Sequence, residues 1–159
     1  MRYISSEHYV GQYIRGFKML MNVSWDTVDN IIISVNVSES FYWIMILFRL
    51  RHKCLYVYDS FIEGALNTKN VHRHVQSLAT IIPLFLFATD FYDKRADICW
   101  DREPEYIDKS MTDSLKYVIV RNIPQQDPHS KYVYLYYLNC NFIIVYSNVL
   151  NYFLLLFLQ

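Results

Sequence analysis

The chain has 159 residues, a length that suits one domain, and 53% of them are apolar, ample for a core. Its formal net charge is zero, so the overall balance points to no nucleic-acid partner, and only 3 glycines leave no glycine-rich phosphate loop. Cys54, Cys99 and Cys140 stand far apart with no C-x-x-C pair. That spacing argues against a zinc site or a disulfide framework and for a reducing, intracellular setting, nuclear or cytoplasmic. The opening MRYISSEHYV is too polar for a secretory signal, so the N-x-S sequons at Asn22 and Asn36 read as chance. No metal and no cofactor are expected.

Residues 6–20 place Tyr9, Val10, Tyr13, Ile14 and Phe17 at helical spacing, although Gly11 and Gly16 weaken the helix. Three apolar runs follow, at 31–37, 41–50 and 53–58, and they read as strands. The basic link Arg49–Lys53 is turn-sized, so the second and third runs form a hairpin. Their near-continuous hydrophobicity predicts strands covered on both faces. Helical spacing returns over 71–87 through Val71, Val75, Leu78, Ala79 and Ile82, and Pro83 is expected to end or kink that helix. The charged stretch 89–110, interrupted by Pro104, reads as loop, and 115–120 as a further short strand. From Tyr132 to Gln159 no residue is charged. That run is long enough to cross a bilayer, but Asn139, Asn141, Asn148 and Asn151 would be costly there. The order of elements gives an α+β class.

Four strings along this framework carry chemical interest: Phe41-Tyr42-Trp43, Tyr58-Asp59-Ser60, Ile123-Pro124-Gln125-Gln126, and the stretch just after. Each has an ordinary reading, as core, turn or loop, and their order and spacing give them weight together. The chain resembles the ubiquitin-like-protein-specific (SUMO- or sentrin-type) cysteine proteases, in their divergent plant and transposon-associated branch. The resemblance rests on VGQYIRGFKM, WDTVDNIIISVNVSESFYWIMI, CLYVYDS, SLATIIPLFLFATDFY and NIPQQDPHS. It covers residues 7–130, a partial catalytic domain of papain-like core that is incomplete at both ends. Residues 131–159 form an apolar tail departing from the family.

The resemblance implies a cysteine-type peptidase that processes or deconjugates ubiquitin-like modifiers. In such an enzyme a thiolate attacks the carbonyl after a Gly-Gly tail, a histidine activates the thiol and an aspartate orients the histidine. A glutamine side chain donates to the oxyanion. On this chain Asp59 matches the orienting aspartate, Gln126 the oxyanion donor and Trp43 the tryptophan lining the tail's tunnel. Tyr42 stands at the histidine position, immediately before Trp43. A tyrosine of ordinary pKa near 10 is a poor general base at neutral pH. The nucleophile position falls at Tyr132 or Val133, where no cysteine stands, and no Asp-Cys-Gly occurs anywhere. Cys140 lies too far along to replace it, and Ser130 comes before the required point.

The implied reading is a protease-family domain that is catalytically defective, with a SUMO-type modifier as its partner. Two alternatives stand beside it. One is an inactive module that still grips a ubiquitin-like tail through Trp43. The other is a small membrane-anchored product held by the 132–159 run. Elsewhere, His72 and His74 are two apart on a helix and so face different ways, which disfavours a shared metal. The basic run Arg49–Lys53 reads as a solvated turn. The mixed acidic stretch from Asp90 to Glu105 reads as a solvated loop.

Overall fold

A computed structural model describes residues 9–15, 24–38, 42–60, 65–123 and 142–145. The protein is an α+β domain built on a mixed sheet. In chain order come helix α1 (Tyr9–Ile14), a 3-10 turn (Trp25–Thr27), β1 (Asn30–Ser38), β2 (Tyr42–Arg49) and β3 (Cys54–Tyr58). Helices α2 (Ala65–Ala88) and α3 (Phe91–Lys94) and strands β4 (Lys116–Ile119) and β5 (Phe142–Val145) follow. The strand order is β4-β3-β2-β1-β5. Neighbours β1/β2 and β2/β3 are antiparallel, while β3/β4 and β1/β5 are parallel.

The β-branched runs account for the sheet. Strand alternation puts Ile31, Ile33 and Val35 of β1 on one face, opposite Phe48, Ile46 and Ile44 of β2, and all six are buried. Leu55 and Val57 continue that face into β3. The cross-strand partners Ile32 and Leu47 belong to the other face and are also buried, as strands covered on both sides require. The β2–β3 hairpin turns over residues 50–53: the Lys53 N–H donates to the Leu50 carbonyl (3.0 Å), and Lys53 closes the turn at φ 45°.

Helix α2 packs on the first face through Val71, Val75, Leu78, Ala79, Ile82, Phe85 and Leu86. It begins six residues before the predicted start and continues past Pro83. The expected break at the proline does not occur, for an identifiable reason. Proline lacks the N–H that would reach the carbonyl four residues back, that of Ala79. That carbonyl accepts the Leu115 N–H instead, at 2.9 Å, so the unused acceptor ties the helix to the entrance of β4. The helix ends after Ala88: the Thr89 hydroxyl donates to the Phe85 carbonyl (2.8 Å), and Asp90 turns left-handed at φ 56°. The Lys94 ammonium donates to the Thr89 carbonyl (2.8 Å), placing a cation at the helix C-terminus.

The stretch 89–110 corrects the expectation of a solvated loop. It contains α3 and a chain of buried aromatic rings. Tyr92 meets Trp100 edge-on (centroids 5.1 Å apart), and Trp100 meets Tyr106 (4.9 Å). The Trp100 indole N–H donates to the Tyr92 carbonyl (3.1 Å), and the Tyr106 hydroxyl donates to the Leu50 carbonyl (2.8 Å). Arg95, only 5% exposed, binds both Asp97 carboxylate oxygens (2.8 and 2.9 Å), Asp29 (2.6 Å) and the Val28 carbonyl (2.7 Å). It thereby fastens this segment to the start of β1. Arg95 with Asp97 and Asp29, and Glu103 with Arg51, are thus engaged, while Asp90, Asp93, Asp101 and Arg102 are exposed.

The basic turn Arg49–Lys53 is corrected in the same way. Lys53 is 3% exposed; its ammonium lies over the Tyr106 ring (5.0 Å) and donates to the Ser110 carbonyl (2.7 Å). Burial pulls its pKa below the ordinary lysine value. Arg51 pairs with Glu103. Most of the turn is therefore docked under the 103–110 segment. Only Arg49 and His52 within it are exposed.

Of the helix predicted over 6–20, Tyr9–Ile14 is helical, and the rest, apart from Arg15, lies outside the described residues. The Ser24 hydroxyl donates to the Ile14 carbonyl (3.0 Å) and anchors the end of α1.

Candidate functional site

The strand directions bring several of the sequence-derived positions to one end of the sheet. The last β2–β3 pair at that end is Met45 opposite Tyr58. Asp59 therefore leaves β3 one step beyond the ladder, and Tyr42 and Trp43 open β2 past the same end. These two also pair back onto β1, at Ser38 and Asn36, across an irregularity in register. Strand β4 runs parallel to β3, and the Val120 N–H still donates to the Val57 carbonyl (2.9 Å). Residues 121–123 therefore emerge at that end too, on the way to Gln126.

Asp59 is the one member of the constellation whose side-chain environment is described. It is 5% exposed, a rare degree of burial for an aspartate. The apolar strand CLYVY carries it there, with Leu55 and Val57 anchored in the core. The backbone of Tyr42 and Trp43 is placed, while their side chains lie outside the described residues, as do Gln126, Ser130, Tyr132, Val133 and Cys140.

The described histidines and cysteines have other engagements. His52 sits in the β2–β3 turn at the far end of the sheet, with Nδ1 2.9 Å from the Tyr56 hydroxyl. His72 on α2 meets the Tyr117 hydroxyl (3.3 Å), and His74 bonds the Asn70 carbonyl (2.8 Å). Cys54 begins β3 and is separated from Asp59 by the length of that strand, about 16 Å at the usual rise. Burial pushes its thiol above the ordinary cysteine value, the opposite of what activates a nucleophile. Cys99 is exposed on the segment after α3. Among the described residues no group of histidine, cysteine and carboxylate side chains could hold a metal ion. Among them, too, no helix is long and apolar enough to cross a membrane.

Buried polar groups that no local motif marks, Lys53, Arg95 and Tyr106, gather at the opposite end. Their signal was present: Tyr92, Trp100 and Tyr106 are large aromatic residues within a run otherwise typical of solvated loops. These groups hold the domain together and do not border Asp59.

No protein-family model, curated protein or solved structure matches the chain.

Proposed function

We propose that the chain is a domain of the ubiquitin-like-protein protease type, with a papain-like core, that has lost peptide hydrolysis. In this reading the sheet end bearing Tyr42, Trp43 and Asp59 is a relic catalytic end that still receives the extended Gly-Gly tail of a SUMO-type modifier. The observation that carries the reading is the buried carboxylate of Asp59, one step past the end of β3 and at the same sheet end as the start of β2. Burying a carboxylate is costly without a structural or functional reason, and the family pattern supplies one.

The chemistry follows from what stands at each position. Asp59 orients a neighbour. Tyr42, in place of the histidine, keeps its proton at neutral pH and cannot accept one from a thiol. Neither Tyr132 nor Val133 offers a nucleophile. Gln126 retains the donor for a developing oxyanion, but no attack generates one. What remains is recognition of the tail, with Trp43 as the wall against which it lies.

The test is binding without turnover. The purified chain is titrated with a mature SUMO-type modifier ending in Gly-Gly and with the same modifier lacking that tail, and it is incubated with an uncleaved precursor. The expected result is saturable binding that requires the tail, weakened about tenfold or more by Trp43→Ala, and no cleavage. Binding indifferent to the tail and to Trp43, or cleavage of the precursor, would overturn the reading.

A further inference from the structure

The outer edge of β4 lies on the opposite side of the sheet from β5. The Lys116 and Val120 N–H groups both donate to β3, at the Lys53 and Val57 carbonyls. By strand alternation the backbone N–H and C=O of Tyr117 and Ile119 point away from β3, along the outer edge. No partner for these four groups occurs among the described residues. Val118, between them, is 49% exposed.

An edge strand of this kind is normally blunted by a charge or a proline. The charge here is Lys116, which is already engaged: its ammonium is 2.6 Å from Glu105, and this pairing raises its pKa while holding the Glu105 carboxyl below the usual range. The middle of the edge is left apolar. The rim around it is mainly cationic, with Asp113 exposed ahead of the strand. Helix α2 carries no acidic residue and packs beside β4, where His72 reaches the Tyr117 hydroxyl. Lys69 and Arg73, within one turn of His72, are exposed, and Arg121 is exposed just past the end of the strand. In a chain of zero net charge this is a local excess of positive charge.

We infer that the β4 edge is a docking site for an extended acidic peptide segment of another protein, which adds as a further strand. Tyr117 and Ile119 would supply the main-chain hydrogen bonds, Val118 an apolar contact, and Lys69, Arg73 and Arg121 the attraction for flanking carboxylates. This site is distinct from the sheet end of Asp59, and its success or failure is independent of the reading proposed there.

The probe is a blocked heptapeptide alternating glutamate and valine, titrated against the full chain by calorimetry, with a lysine–valine peptide as its charge-reversed counterpart. Ile119→Pro removes one outward donor and no β3 bond, because proline is tolerated where its nitrogen faces away from the ladder. The expected result is binding of the acidic peptide that weakens as salt rises, is absent for the basic peptide, and falls about tenfold in Ile119→Pro. A Lys69→Glu, Arg73→Glu double variant, changed only on the exposed helix surface, should lose affinity by a similar factor, so the inference remains testable if the proline variant fails to fold. Equal binding of both peptides, no binding by the intact chain, unchanged affinity in the charge-reversed variant, or self-association of the chain through this edge would each overturn it.

Discussion

Tyr106 joins the 89–113 segment to the β2–β3 turn, and truncating it shows whether that segment belongs to the cooperative core. Its ring packs on Trp100 (4.9 Å) and Tyr92 (6.3 Å), the Lys53 ammonium lies over it, and its hydroxyl supplies the buried Leu50 carbonyl at 2.8 Å. Removing a buried aromatic side chain costs about 3–5 kcal/mol, and the lost hydrogen bond adds about 1 kcal/mol, so Tyr106→Ala should cost roughly 4–6 kcal/mol. Against a typical domain stability of about 5–15 kcal/mol, that is about a quarter or more of the total. Tyr106→Phe keeps the ring and should cost only about 1 kcal/mol. Urea unfolding followed by tryptophan fluorescence measures both. A Tyr106→Ala variant destabilised by less than about 1 kcal/mol would behave like a surface substitution. It would mean that the segment is the solvated loop its charge pattern suggests.

Three further outcomes are expected. Burial raises the pKa of Tyr92 and Tyr106 above the ordinary phenol value near 10, so the folded state holds their protons more tightly than the unfolded chain. Stability is therefore intact below about pH 10 and lost as pH rises further, and in an alkaline titration these two phenols should ionise only with unfolding. Arg95→Met should lower the unfolding midpoint more than Asp29→Asn, because it also frees Asp97 and the Val28 carbonyl. The hydrogen bonds from Arg95 hold the Asp97 carboxyl below the usual range, so the stability gained from that pair is present above about pH 4 and is lost on acidification. Thiol labelling followed by peptide mapping should modify exposed Cys99 in the native state and buried Cys54 only on unfolding. Rapid native labelling of Cys54 would contradict its packing in β3.

The sheet was largely legible in the sequence because its signals are local. Runs such as IIISVNV and WIMILF are too apolar and too β-branched to sit anywhere but in a covered sheet. The basic residues between the second and third runs fix the hairpin. The failures have one physical cause. Pro83, Lys53 and Arg95 were read by what they do to their own segments, yet each is tied to a partner distant in sequence. The Ala79 carbonyl finds Leu115, Lys53 finds Ser110 and Tyr106, and Arg95 finds Asp29. Tertiary contacts of this kind override local propensity and leave no periodic trace. For the candidate site, Asp59 could be placed from the end of an apolar strand. Strand directions alone bring Tyr42 and Trp43 to the same end. The remaining positions were reached by resemblance and not by local pattern.

Recognition that persists without a nucleophile is tested by covalent capture. The chain is incubated with a SUMO-type modifier whose terminal glycine carboxyl is replaced by a thiol-reactive vinyl group, and intact mass is followed over hours. Unmodified protein is expected, even where the same modifier with its natural tail binds. An adduct that forms stoichiometrically and maps to a single cysteine, Cys140 above all, would contradict it.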